Sequence, residues 1–165
     1  MRRWVVLGAV LVLAHAPDAA AFTPNEKIEI LSAHNRYRWE VGVPALRWSD
    51  ELAATALLWA QHLAEVRRFE HSGALGTGEN LAMWTAGKST LTQLVDLWGA
   101  EKRFFIQSYF PDVSKIGDWR TVGHYTQIVW RDTTEVGCGR ATGGGYDFLV
   151  CQYAPQGNFM GRRVF

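Results

Sequence analysis

Cys138 and Cys151 are the only two cysteines of the chain, and Gly143-Gly144-Gly145 lies between them. If Gly144 and Gly145 form a two-residue hairpin turn, glycine being the residue such turns favour, pairing runs outward from Gly143 opposite Tyr146 and sets Cys138 opposite Cys151. That pair falls at a non-hydrogen-bonded position, where facing Cα atoms lie about 4.5 Å apart. A disulfide bridges about 4.4–6.8 Å, and closing so short a loop contributes about 3 kcal/mol in the chain-entropy picture. The spacing therefore predicts strands over Glu135–Thr142 and Tyr146–Ala154, stapled by Cys138–Cys151.

A disulfide needs an oxidising compartment, and the N-terminus supplies the reason to expect one. Arg2 and Arg3 precede an apolar run from Trp4 to Ala14, and Ala19-Ala20-Ala21 offers a small-residue cleavage site before Phe22, the pattern of a secretory leader. The run is short of the roughly 20 residues that span a bilayer, so no stable membrane insertion is expected after cleavage. We read residues 1–21 as a signal peptide, residues 22–165 as one domain, and the location as secreted, extracellular or periplasmic. In such a chain an even pair of cysteines favours a disulfide over free thiols. Removing Arg2, Arg3 and Asp18 from 17 basic and 16 acidic groups leaves the remainder formally neutral, without the basic excess of a nucleic-acid binder.

Thr23-Pro24 with Glu26 reads as a helix start with a capping box. This helix is expected to turn Ile28, Leu31 and Tyr37 inward and to stop near Gly42 and Pro44. His34, Asn35 and Arg38 stand where an apolar stripe would not put them, and buried side chains of this kind mostly satisfy backbone. Ser49-Asp50-Glu51 opens a second helix with a stripe of Leu52, Ala56, Trp59, Leu63 and Val66, leaving His62 in solvent. From Glu70 to Asn80 the glycines indicate a loop. Ser89 is expected to cap a third helix with the stripe Leu91, Leu94, Trp98, Glu101, Phe105. Glu101 is anomalous there, because a carboxylate among apolar neighbours needs a partner unless the helix has unwound by that point. The stretch 110–119 lacks a period, and Gly123-His124-Tyr125-Thr126-Gln127-Ile128-Val129-Trp130 is ambiguous between helix and strand.

That last segment joins an imidazole to apolar bulk, as though a core element delivered a polar group into a cavity. With His71 and Glu79 on the preceding loop and Glu101 on the third helix, it supplies two imidazoles and two carboxylates, a set suited to a divalent metal if they converge. No His-Glu-x-x-His, Gly-x-Ser-x-Gly, phosphate loop or dinucleotide fingerprint is present.

The run Gly123 to Trp130 with Thr133, and the run Phe148 to Phe159, resemble the two signature segments of the CAP superfamily: cysteine-rich secretory proteins, antigen 5 and pathogenesis-related class-one proteins, built on the SCP domain. His34-Asn35-Arg36-Tyr37-Arg38 and Gly78-Glu79-Asn80 resemble its two shorter motifs. The resemblance implies an α+β fold, a three-layer α-β-α sandwich with a small antiparallel sheet between helices, and a short helical turn at Tyr125–Trp130. It also implies a cleft with His71 and His124 as metal ligands, for Zn2+ or another divalent ion, and Glu79 and Glu101 lining it. The further disulfides and C-terminal cysteine-rich domain of animal members are missing, so ion-channel regulation is not carried over.

Three functions follow as expectations. The first is a secreted, non-enzymatic binding module that takes a sterol or fatty acid near the cleft. The second is a metal-dependent hydrolase or protease with Glu79 or Glu101 as general base. The third is an interaction protein in which the four side chains are only a structural network.

Overall fold

The first helix starts where its capping residues place it. In the computed structural model, which describes residues 18–165, Thr23 and Glu26 form the reciprocal capping box and Pro24–Glu40 is helical (α1). Most of the leader expected over residues 1–21 lies outside the described residues; within it Asp18–Ala20 form a short strand (β1). Arg47–Trp48 is a two-residue strand (β2). Ser49 caps Asp50–Val66 (α2), and Gly78–Thr85 is a strand (β3). The third helix, Leu91–Gly99 (α3), is capped by Thr90, one residue later than expected, because Gln93 completes a capping box with it. It then tightens into a 3-10 turn over Ala100–Phe104. Gly123–Ile128 is a short helix (α4), followed by strands Glu135–Gly143 (β4) and Tyr146–Ala154 (β5).

The hairpin has the register read from its glycines: Gly143 faces Tyr146 and Cys138 faces Cys151. The disulfide is formed, with the Cα atoms 4.1 Å apart, the close approach of a non-hydrogen-bonded pair. β3 pairs antiparallel with β5 along its whole length, while β1 and β2 share the far edge of β4, giving the order β1-β4-β5-β3.

Helices cover both faces. On one face α2 lies against Ala141, Phe148, Val150 and Leu81. On the other, α1, α3 and α4 enclose a larger core around Ile30, Trp98, Ile128 and Tyr153. α2 comes close because β4 presents glycine to it: a Cβ at Gly137 would stand 2.2 Å from the Ala53 nitrogen, and one at Gly139 2.2 Å from the Leu57 Cα. This is the expected three-layer α-β-α sandwich.

Four local expectations are corrected. Ile28 is 60% exposed, and α1 instead buries Ile30, Ala33, His34, Tyr37 and Arg38. In α2 Val66 is exposed and Ala60 and Ala64 are buried, because small residues let the helix settle on the glycines of β4. Glu79 and Asn80 belong to a strand rather than a loop. Glu101 lies beyond α3, in the 3-10 turn, and so does not continue the apolar stripe.

Arg38 locks the second core. It is fully buried and its guanidinium donates to the carbonyls of Pro44, Ile128, Trp130 and Thr133. The Ile128 carbonyl is the last of α4, whose C-terminal oxygens have no partner within the helix, and Trp130 lies just beyond it. Burial lowers the Arg38 pKa to about 10, which leaves it charged at neutral pH. Asn35 likewise bonds both backbone groups of Leu46, so these polar residues of α1 satisfy backbone as the sequence suggested.

Candidate functional site: a cleft with two carboxylate-held imidazoles

Successive side chains of a strand point to opposite faces, and β3 uses this at its first turn of sequence. Leu81 joins the core under α2 and Ala82 the core under α1, so Glu79 sits on the α2 side and Asn80 on the other. A cleft of about 500 Å³ opens at this end of β3.

On the α2 side, Glu79 Oε1 accepts from His71 Nδ1 at 2.9 Å and from the Ser72 amide at 2.9 Å. Its Oε2 accepts from Gln152 at 3.3 Å. Burial acts to raise the Glu79 carboxyl, but the bonds from His71, Ser72 and Gln152 outweigh it and hold the group below the usual carboxylate range. The loop that carries His71 is fixed to α2 by the Trp59 indole, which donates to the Glu70 carbonyl.

On the opposite side, Glu101 Oε1 accepts from His124 Nδ1 at 2.7 Å. Its Oε2 accepts from the amides of His124 and Tyr125 at 3.0 and 3.1 Å. Glu101 therefore meets free amides at the start of α4, which answers its desolvation. The Trp98 ring stacks on the His124 ring with centroids 6.2 Å apart. Behind these, Asn80 donates to the His124 carbonyl and to the Tyr153 hydroxyl, and that hydroxyl meets buried His34 at 2.8 Å.

The two halves share a chemistry. A carboxylate can only accept, so Nδ1 of each imidazole carries a proton and Nε2 of each carries the lone pair when the ring is neutral. Neither Nε2 has a hydrogen-bond partner among the described residues. His71, Glu79 and His124 line the cleft, whereas Glu101 stands behind His124 rather than in the wall. Among the described residues there is no group of three or more His, Cys, Asp or Glu placed to hold a metal. The donor set thus offers two nitrogens, each fixed by a carboxylate as metal-bound histidines commonly are, and fits an open, exchangeable divalent site rather than a closed structural one.

Sequence reasoning missed Thr77, Trp119, Arg120 and Asn158, which also line the cleft. Trp119 comes from the aperiodic stretch and explains Gly123: a Cβ there would meet its ring at 3.2 Å. Gly123 has no positive φ, so it provides room rather than backbone freedom. Asn158 does use the left-handed region, φ 58°, which asparagine tolerates. It clasps α4 through Gly123 and Thr126.

This architecture and site define a small sandwich domain whose two outer layers each bring one carboxylate-held histidine to a shared cleft. The chain belongs to the CAP, or cysteine-rich secretory protein, family, whose profile matches residues 31–153. It is 36% identical over 157 residues to a pathogenesis-related protein of the PR-1 type from Sambucus nigra, covering 94% of this chain and 92% of that protein. It is 37% identical to pathogenesis-related protein 1A of Nicotiana tabacum, over 94% of this chain and 88% of that one. Venom allergen 5 2 of Polybia paulista is 34% identical, over 87% of this chain and 80% of its own. Among solved structures, NaASP2 with Zn2+ superposes with a TM-score of 0.74 at 24% identity, covering 88% of this chain and 87% of that one. BmVAL-1 gives the same TM-score and identity over 87% and 83%. Among the described residues no helix is long and apolar enough to cross a membrane.

Proposed function

We propose that the protein is an exported, non-enzymatic binding module that holds a divalent metal, Zn2+ in the first instance, at Nε2 of His71 and His124, and takes a sterol or fatty acid nearby. The observation that carries the metal part is that both imidazoles line one cleft and are fixed through Nδ1 by carboxylates, with Nε2 of each unpartnered among the described residues. The zinc complex of the structurally similar NaASP2 supports it. Export rests on the leader pattern of residues 1–21 together with the disulfide.

Hydrolysis is the weaker reading because both oxygens of Glu79 and of Glu101 already accept hydrogen bonds. A general base must be able to reach the proton it removes, and here each carboxylate serves an imidazole instead.

Zinc titration calorimetry on the wild type and on His71→Ala with His124→Ala tests the metal site. About one zinc per wild-type chain, lost in the double variant, is expected; equal heats in both would refute it. For the apolar ligand, equilibrium binding of labelled sterols and fatty acids is expected to saturate, and no saturation with either class refutes that part.

A further inference from the structure

A second groove, of about 510 Å³, lies between the end of β3 and the outer face of α3. Trp84 and Leu97, 44% and 43% exposed, give it an apolar floor with Ala100. Indole and isobutyl groups left this open on adjoining elements lose hydration when covered, at about 25 cal/mol per Å² of apolar surface. Its rim is unlike the cleft. Lys88 and Arg103 both border it, and among the described residues neither has a carboxylate within 4 Å. Arg103 rests instead over the Phe104 ring.

Two acceptor oxygens that line the groove are engaged, and the charge of Asp96, whose Oδ2 has no side-chain hydrogen bond among the described residues, is balanced by Arg36. Asp96 Oδ1 accepts from Arg36 and from the Tyr37 hydroxyl, and Gln93 Oε1 accepts from the Thr90 amide in the capping box of α3. Ser89 and Trp84 add a hydroxyl and an indole N–H to the lining. A floor of apolar surface with a rim of donors and two unneutralised cations complements one kind of small molecule: an apolar body ending in a single anionic acceptor.

We propose that this groove is a binding site for an amphipathic carboxylate. Its apolar body lies on Trp84, Leu97 and Ala100, and its acid group sits between Lys88 and Arg103. The inference rests on the reading of the protein as a carrier of apolar ligands, and adds where such a ligand binds and why it must be an acid. Histidines and metal take no part, so the groove and the cleft are independent.

Calorimetric titration of the purified protein with decanoate, and with decanol as the uncharged match, tests this. Saturable binding of one decanoate is expected, at least tenfold weaker for decanol, for Lys88→Gln with Arg103→Gln, and for Trp84→Ala. His71→Ala with His124→Ala is expected to bind decanoate as the wild type does. These are surface positions, and unchanged circular dichroism confirms the fold. Decanoate binding that survives the Lys88 and Arg103 changes, or decanol binding as tight as decanoate, overturns this site while leaving the carrier reading standing. Absence of saturable binding for decanoate and for labelled sterols alike overturns both.

Discussion

Glu79 and Asn80 are neighbours on β3 that face opposite sides of the sheet, and each secures a different half of the cleft. Glu79 holds the His71 ring, and Asn80 holds the main chain of His124. Replacing either should therefore loosen one imidazole and spare the other. Asn80→Ala leaves the His124 carbonyl and the Tyr153 hydroxyl short of a donor, a loss of about 1–3 kcal/mol. In imidazole NMR spectra the His124 resonances are expected to shift and broaden while those of His71 stay. Equal perturbation of both rings would contradict the division.

His34 should give the protein an acid-side slope. Its ring is buried between the Ile30 carbonyl and the Tyr153 hydroxyl, and burial lowers its pKa to about 4, with the Arg38 charge adding to the effect. The unfolded chain takes up the proton near pH 6.5. The stability tied to His34 is thus complete above about pH 6.5, declines as pH falls, and levels off below about 4. The loss amounts to about 3 kcal/mol. Glu79 adds a further loss at lower pH: its depressed pKa contributes stability above the ordinary value of 4.5 that disappears as pH falls through the folded value. Urea unfolding at a series of pH values should show the decline, and His34→Gln should reduce its part between pH 6.5 and 4.

The disulfide should matter in proportion to the loop that it closes. Cys138→Ala with Cys151→Ala is expected to lower unfolding free energy by about 3 kcal/mol without moving the strands, since β3 and β4 flank β5 on both sides. Denaturant midpoints with and without reductant measure it. A change below about 1 kcal/mol would show that the strand pairing needs no staple.

Arg38 tests how far α4 depends on α1. Arg38→Met takes a donor from four carbonyls, of which Trp130 alone keeps a second among the described residues, the Thr133 amide, and a loss of at least about 3 kcal/mol is expected, as for other buried networks that lose one member. Arg38→Lys should recover only part, because an ammonium offers three donors from one point. Zinc affinity is expected to fall with stability in this series, since the Ile128 carbonyl ends the helix that presents His124.

Much of the fold was legible because its signals are local. Capping residues, the Gly144-Gly145 turn and the spacing of Cys138 and Cys151 act over a few residues, and the structure keeps them except that Thr90 rather than Ser89 caps α3. β3 was not legible. Its glycine-preceded, polar start reads as loop, and its strand state depends on pairing with β5 some seventy positions away in sequence. The anomaly of Glu101 could be recognised, but its answer could not, because the partner amides belong to α4. Trp119 and Asn158 carried no periodic signal, and only the folded chain brings them to the cleft. Composition likewise says nothing of how the layers meet.

The glycines of β4 bring the backbone of α2 against that strand, while Phe148 and Val150 of β5 fill the space under the rest of the helix. The His71 loop hangs from that helix through Trp59, while His124 belongs to the layer beyond the sheet. The gap between the two imidazoles is therefore a caliper reading of sandwich thickness. A methyl group added at Gly137 or Gly139 would have to lift α2 from β4, so the separation of the two imidazoles is written partly in glycines that touch neither.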